Sequence, residues 1–246
     1  MKLLLIGAGN MGGAMLCGLQ NYDITVVASH KTRAQELALL YPTIKLTDTI
    51  PSLDGYIVIL AIKPQSLEAL HVSGTAHGLI SILAGVTLAR LKEKISAKLY
   101  VRAMPNMAAL KGKSATSLCG DEALKQEAMG LLESIGKCFW LSSEKELDIA
   151  TALAGSAPAW IALVAEALSD GAVNLGLKRE LSYQYLAQLF EGVGVLLQEE
   201  HPALLKDKIT SPEGTTIAGL AKLEEGGVRD SFIKAMQSAY ERAQKL

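Results

Sequence analysis

The apolar run Lys2 to Ile6 passes directly into Gly7-Ala8-Gly9-Asn10-Met11-Gly12, and the residues that follow, to Gln20, have helical spacing. No other feature restricts the fold as much. A strand that ends in G-x-G-x-x-G and turns at once into a helix is the opening of a βαβ unit built to hold a dinucleotide. Gly7 permits the tight turn, Gly9 lets a diphosphate approach the backbone, and Gly12 lets helix and strand pack closely. The free amides and partial positive charge at the helix start then favour phosphate. A glycine-rich turn with no ligand is the plainer alternative.

The rest of the first half keeps that rhythm. Strands are expected at Ile24 to Ala28, Tyr56 to Ala61, Leu79 to Leu83 and Lys98 to Arg102, with crossover helices at Thr32 to Tyr41 and Pro64 to Ala69. Two further strands, Ser114 to Leu118 and Cys138 to Leu141, flank a helix from Asp121 to Ile135. From about Glu144 strand signals stop, and helices are expected near Glu144 to Leu175, Leu181 to Glu200, Glu213 to Leu223 and Arg229 to Lys245. The expected class is α/β: an N-terminal Rossmann-type, doubly wound, mostly parallel sheet over residues 1–146, then an all-helical domain over 147–246. No repeat, charge block or Pro/Gly/Ser-rich linker separates the two, so they should pack closely.

Composition narrows the partners. Lys plus Arg number 24 against 25 Asp plus Glu, and aromatics are 5%, which gives neither a basic nucleic-acid surface nor a base-stacking platform. The 50% apolar content supplies an ample core and points to a small-molecule partner. Cys17, Cys119 and Cys138 are odd in number and far apart, as in a reducing cytoplasm, and no signal-peptide order opens the chain. The uncharged stretch Ile149 to Ala165 approaches the length of a membrane span. Its alanine content and central Gly155-Ser156-Ala157-Pro158 favour a helix–helix interface instead, so no membrane partner is expected.

Cofactor preference is read at the end of the second strand, where a form that prefers NAD carries a carboxylate for the ribose hydroxyls. Here the residues are Ala28-Ser29-His30-Lys31-Thr32-Arg33. Ser29, His30, Lys31 and Arg33 can surround a ribose phosphate, so NADPH is expected, with NADH as the alternative. Lys31 and Arg33 read equally as the solvated start of a helix.

Ala61-Ile62-Lys63-Pro64-Gln65 and Arg102-Ala103-Met104-Pro105-Asn106 each close a strand, at the edge where open parallel sheets bind ligands. Together with Gly155 to Trp160, Glu166 to Gly171 and Asp207 to Thr216, these segments resemble pyrroline-5-carboxylate reductase, the last enzyme of proline biosynthesis, over nearly the whole chain. Its most specific element is Leu205 to Thr216, which looks like the family's substrate loop entering a helix. The chain departs from the family pattern at Met107-Ala108, where threonine and proline usually stand, and at Ala154, Ala157 and Trp160 within the Ser-Gly-Ser-Gly-Pro-Ala-Tyr motif.

The resemblance implies hydride transfer from a nicotinamide to the C=N carbon of 1-pyrroline-5-carboxylate, giving proline. It implies substrate binding by Ser211, Gly214, Thr215 and Thr216, whose hydroxyls and helix-start amides suit a carboxylate. The Thr216 hydroxyl is the first candidate for the proton at the imine nitrogen, and Glu199 for stabilising the iminium, although Glu199 reads equally as a solvated helix end. On the cofactor side it implies Gly7, Ala8, Gly9, Asn10, Met11, Gly12, Ala61, Ile62, Lys63, Pro64, Ala84, Gly85, Met104, Pro105 and Asn106. Lys63 shapes the nicotinamide pocket rather than donating a proton. The helical domain is implied to form a homodimer, with a larger ring of dimers open. Rivals are a β-hydroxyacid dehydrogenase, which would place a lysine on the helix spanning Ala157 to Glu166 where this chain has none, a related imine or deazaflavin-linked reductase, and a non-catalytic NADP or vitamin-B6 regulator. No His, Cys, Asp or Glu cluster has metal-ligand spacing.

Overall fold

The computed structural model describes residues 2–28 and 30–244. The chain divides into two compact units, Met1–Ser156 with Ala239–Leu246, and Ala157–Ser238.

The first unit runs β1 (Lys2–Ile6), α1 (Asn10–Leu19), β2 (Asp23–Val27), α2 (Lys31–Leu40), β3 (Lys45–Thr47), β4 (Tyr56–Leu60), β5 (Gly78–Ser81), α3 (Leu88–Lys94), β6 (Tyr100–Met104), β7 (Ser114–Gly120), α4 (Lys125–Leu132), β8 (Gly136–Trp140) and α5 (Glu144–Ala150). The strands form one sheet in the order β3-β2-β1-β4-β5-β6-β7-β8. All neighbours are parallel except β6 and β7, which pair antiparallel. Leu3, Leu4 and Leu5 are all fully buried, because a parallel sheet covered on both faces needs apolar side chains at every position rather than at alternate ones. Successive residues feed opposite layers. Leu3, Leu5, Ile57 and Ile59 enter one core with Met15 and Leu16 of α1, whereas Leu4, Ile6, Val58 and Leu60 enter the other with Leu91 of α3.

Several expected elements differ. Pro64 to Ala69 contracts to a single 3-10 turn, Pro64–Ser66, because its few apolar positions cannot seat a longer helix on the sheet. The helix from Asp121 to Ile135 is broken, with 3-10 turns at Glu122–Leu124 and Glu133–Ile135 on either side of α4. β3 and α3 were not foreseen. β3 has only three residues at the sheet edge, and α3 is opened by the Thr87 hydroxyl accepting the Arg90 amide at 3.2 Å.

Cys119 on β7 and Cys138 on β8 are buried, and burial pushes their thiols up to about 11 and about 12. Cys17 is half-buried, its thiol donating to the Ala109 carbonyl at 3.0 Å. At about pH 8 the native protein is therefore expected to release no more than one thiol equivalent to Ellman's reagent, with the other two appearing only on unfolding. Rapid reaction of two thiols in the native state would contradict this burial.

The second unit contains α6 (Ala157–Asn174), α7 (Arg179–Glu199), α8 (Pro202–Ile209), α9 (Thr215–Glu225) and most of α10 (Val228–Ala243). α8 was not expected and overlaps the first part of Leu205 to Thr216, the segment expected as a loop. His201 caps it, its Nδ1 accepting the Ala203 amide at 3.3 Å, and Pro202 fills the first helical position. α6 and α7 pack together around Ser169 and Ser182, with Arg179 donating to the Ser169 hydroxyl at 3.0 Å. Among the described residues of this unit, only Ser169, Ser182, Leu186 and Leu205 are buried. Ile161, Leu163, Leu168, Tyr185, Leu189 and Ile233 stand exposed.

Candidate functional site

The strand order reverses between β1 and β4, since the chain winds from β1 outward through β2 to β3 and from β4 outward in the other direction. At such a switch point, crossovers diverge to opposite faces and leave a crevice beyond the carboxyl ends of the two strands. A cleft of about 590 Å³ lies there, lined by Gly7 to Asn10 after β1, by Ala61 to Lys63 and Ser66 after β4, and by Ala28, His30, Arg33 and Glu36 from β2 and α2. That volume is in the range of cofactor sites.

The glycines shape this cleft by close approach. Gly7 has φ +104°, and a Cβ there would stand 2.6 Å from the carbonyl carbon and oxygen of Ala61. A Cβ on Gly12 would stand 2.1 Å from the Gly7 oxygen. The turn is thus pressed against the β4 end and α1 against the turn. Gly9 precedes α1 without a side-chain cap, and the first turn of α1 has no acidic residue, so no carboxylate of that turn competes for its amides.

The α2 side is more committed than its sequence suggests. Arg33 Nε donates to the Ala8 carbonyl at 2.9 Å, and Nη1 pairs with Glu36 at 2.9 Å. Glu36, Ser66 and Ala28 line the cleft and were not foreseen. The three-residue spacing of Arg33 and Glu36 on one helix is the signal that could have found Glu36. Lys31 lines a neighbouring hollow of about 450 Å³ with Leu46, Thr47 and Asp48. Ser29 lies outside the described residues.

The remaining cofactor-side candidates are spread along the same sheet edge. Met11 is half-buried against the core, and Gly12 is buried in α1. Pro64 and Gly85 share a separate hollow of about 280 Å³, and Ala84 precedes Gly85 in the turn after β5. Met104 ends β6 and Pro105 is buried. Asn106 is held on three sides: its amide donates to the Ser114 hydroxyl at 3.0 Å, its Nδ2 to the Ala154 carbonyl at 2.9 Å, and its Oδ1 accepts the Ala108 amide at 3.1 Å. Ala154 belongs to a π-helical stretch, Thr151–Ser156, a form often found near functional sites.

Behind that edge Arg102 of β6, 3% exposed, meets Glu144 at 2.8 Å and Asp148 at 3.2 Å, both on α5. The same Glu144 oxygen accepts the Leu88 amide at 2.9 Å, which ties the start of α3 to β6 and α5.

In the second unit, Ser211 to Gly214 makes a tight turn, the Gly214 amide donating to the Ser211 carbonyl at 3.2 Å. Glu213, at φ 57°, is the sole non-glycine residue with positive φ among the described residues. Gly214 caps α9 without a side-chain bond, so Thr215 and Thr216 present helix-start amides. Thr216 is half-buried, whereas Ser211 and Thr215 are exposed. Glu199 is exposed at the last position of α7, and it is Glu200 that pairs with Lys208. Among the described residues no three His, Cys, Asp or Glu side chains gather to hold a metal.

Comparison with known proteins finds two families along the chain. Residues 144–246 match the family described as pyrroline-5-carboxylate reductase dimerisation, and residues 2–85 match the NADP oxidoreductase, coenzyme F420-dependent family. The chain is similar to a pyrroline-5-carboxylate reductase of Synechocystis, 36% identical over 100% of this chain and 98% of that protein. It is also similar in structure to the 1-pyrroline-5-carboxylate reductase of Streptococcus pyogenes, at 32% identity and TM-score 0.86, covering 100% of this chain and 99% of the other. A Plasmodium falciparum pyrroline carboxylate reductase solved with NADP bound superposes with TM-score 0.79 at 27% identity, over 100% of this chain and 99% of that one. The helical run Glu144–Asn174 is apolar and long enough to cross a membrane, with only 11% of its apolar window buried, and it falls inside the dimerisation match. A likeness sustained from end to end at this level, over a fold with a dinucleotide cleft at its switch point, shows that the chain belongs to the pyrroline-5-carboxylate reductase family.

Proposed function

We propose that this chain reduces 1-pyrroline-5-carboxylate to proline with NADPH, the reading carried above all by its full-length likeness to curated reductases. The cleft fits the cofactor: a Cβ at Gly7 or Gly12 would fill the space the turn needs, and the helix-start amides beside it suit a diphosphate. Bound NADPH supplies the hydride, and every other requirement falls on the protein.

The substrate carboxylate is held by the hydroxyls of Ser211, Thr215 and Thr216 and by amides at the start of α9, where negative charge is stabilised. Strain at Glu213 helps set that turn, since a left-handed non-glycine residue persists only where its surroundings demand it. The Thr216 hydroxyl holds the proton at the ring nitrogen, and Glu199 stabilises the positive charge there. His30 and Lys31 carry the ribose phosphate, and Met104 to Asn106, Ala84 and Gly85 shape the nicotinamide end of the sheet edge.

The division of labour falls near residue 147, the N-terminal part for cofactor and the helical part for substrate and assembly. Helices of two chains interlock as a homodimer, a larger ring of dimers being an extension of the same contact, and the enzyme works in the cytoplasm. Sedimentation tests the assembly: a monomer with full activity would refute it. The reaction is tested by following NADPH oxidation with pyrroline-5-carboxylate for the native protein and for Thr216→Ala. A loss of about 10²-fold or more in kcat is expected from a group that handles the proton, and equal rates would remove Thr216 from that role.

A further inference from the structure

Arg33 stands in the cleft among the cations that face a dinucleotide, yet its guanidinium is already engaged. Nε donates to the Ala8 carbonyl at 2.9 Å, and Nη1 meets Glu36 at 2.9 Å. Nη2 lies against α1, only 2.1 Å from where a Cβ on Gly13 would stand. Two of these contacts bind α2 to the phosphate-binding turn and to the helix behind it, and the third, to Glu36 on α2 itself, holds the guanidinium in place. In a trans peptide the carbonyl and the following N–H point in opposite directions. A donor fixed on the Ala8 oxygen therefore fixes the direction of the Gly9 N–H, and polarising that carbonyl makes the N–H a stronger donor.

We propose that Arg33 is a positioning residue that acts through the Ala8–Gly9 peptide to hold the phosphate-binding turn, and that it takes no part in distinguishing NADPH from NADH. The proposal rests on the reading of the cleft as a dinucleotide site. It follows from the geometry that the ribose phosphate is left to the other groups at the start of α2. Lys31 is one of them, and it lines the neighbouring hollow with Thr47.

The test uses Arg33→Met, which keeps the stem and removes the donors. Four ligands are titrated: NADPH, NADH, ADP-ribose and adenosine 2′-monophosphate, which carries the ribose phosphate without a diphosphate. The affinities for NADPH, NADH and ADP-ribose are expected to fall by one common factor, about tenfold, as for loss of a charge-assisted hydrogen bond. Binding of adenosine 2′-monophosphate and the melting temperature should stay near those of the parent. A loss confined to NADPH and adenosine 2′-monophosphate would make Arg33 a ligand of the ribose phosphate and overturn the proposal. Equal weakening of all four ligands with a lowered melting temperature would show a merely structural role, and unchanged affinities would show none; each overturns it too. Failure of the native protein to bind either NADPH or NADH would instead strike the reading of the cleft itself.

Discussion

Gly7→Ala is expected to cost this protein NADPH binding by about 100-fold or more, equivalent to about 2.7 kcal/mol. The native φ of +104° is one that an L-residue adopts only with strain, and the added methyl carbon would meet the Ala61 carbonyl carbon and oxygen at 2.6 Å. Those are backbone atoms at the end of β4, and the Ala61 amide is itself bound to the Ile6 carbonyl at 2.8 Å, so neither side of the clash can yield cheaply. The turn must lift away from β4 and open the cleft, with a stability loss of about 2–4 kcal/mol from strain and overpacking together. Gly9→Ala is the informative control. Gly9 has φ −66°, and no atom stands within 4 Å of its added Cβ, so stability should change by less than about 0.5 kcal/mol while the methyl obstructs the diphosphate. Fluorescence titration with NADPH and denaturant unfolding separate the two effects. A Gly7→Ala protein that bound NADPH like its parent would show that the turn has more freedom than its packing allows.

Arg102→Met should cost about 3–4 kcal/mol of folding stability, because it strands two carboxylates that share one buried guanidinium. Arg102 is 3% exposed, against 34% for Glu144 and 25% for Asp148, so part of the penalty is relieved as water reaches the acids. The double replacement Arg102→Met with Glu144→Gln is expected to recover some of the loss, since fewer unpaired charges remain. The cluster joins β6, the start of α3 and α5, so its removal should also loosen the turn that carries Gly85 and the Met104 end of β6. Urea unfolding followed by circular dichroism measures the effect. A loss below about 1 kcal/mol would place the ion pair in the class of solvated surface bridges.

Local chemistry explains what could be read from the sequence. β1 and the turn after it were legible because glycine at Gly7, Gly9 and Gly12 has a backbone meaning wherever it occurs, and a run such as Leu3-Leu4-Leu5 admits few fates besides a strand covered on both faces. The helical half was legible from its spacing, with α6, α7, α9 and α10 close to their expected places. β3 was not, because its three residues at the sheet edge, none of them buried, are too few to carry an apolar pattern. Glu36 and Ser66 reach the cleft through the packing of α2 and of the Pro64–Ser66 turn, which no local pattern encodes. The sequence offered Lys31 and Arg33 as equivalent cations, while in the fold one lines the hollow with Thr47 and the other is tied to Ala8. Which way a long flexible side chain leans is decided by tertiary neighbours, so a charge pattern reports presence and not direction.

With four buried residues to its name, the unit spanning 157–238 has little interior of its own. Mass action then enters the folding equilibrium: association removes the folded, apolar-faced helices from solution, and the apparent melting point climbs as more protein is loaded into the calorimeter. Dilution should soften the helical signal first, leaving the nucleotide-binding sheet, with its two full interior layers, to melt at a temperature indifferent to how much protein is present.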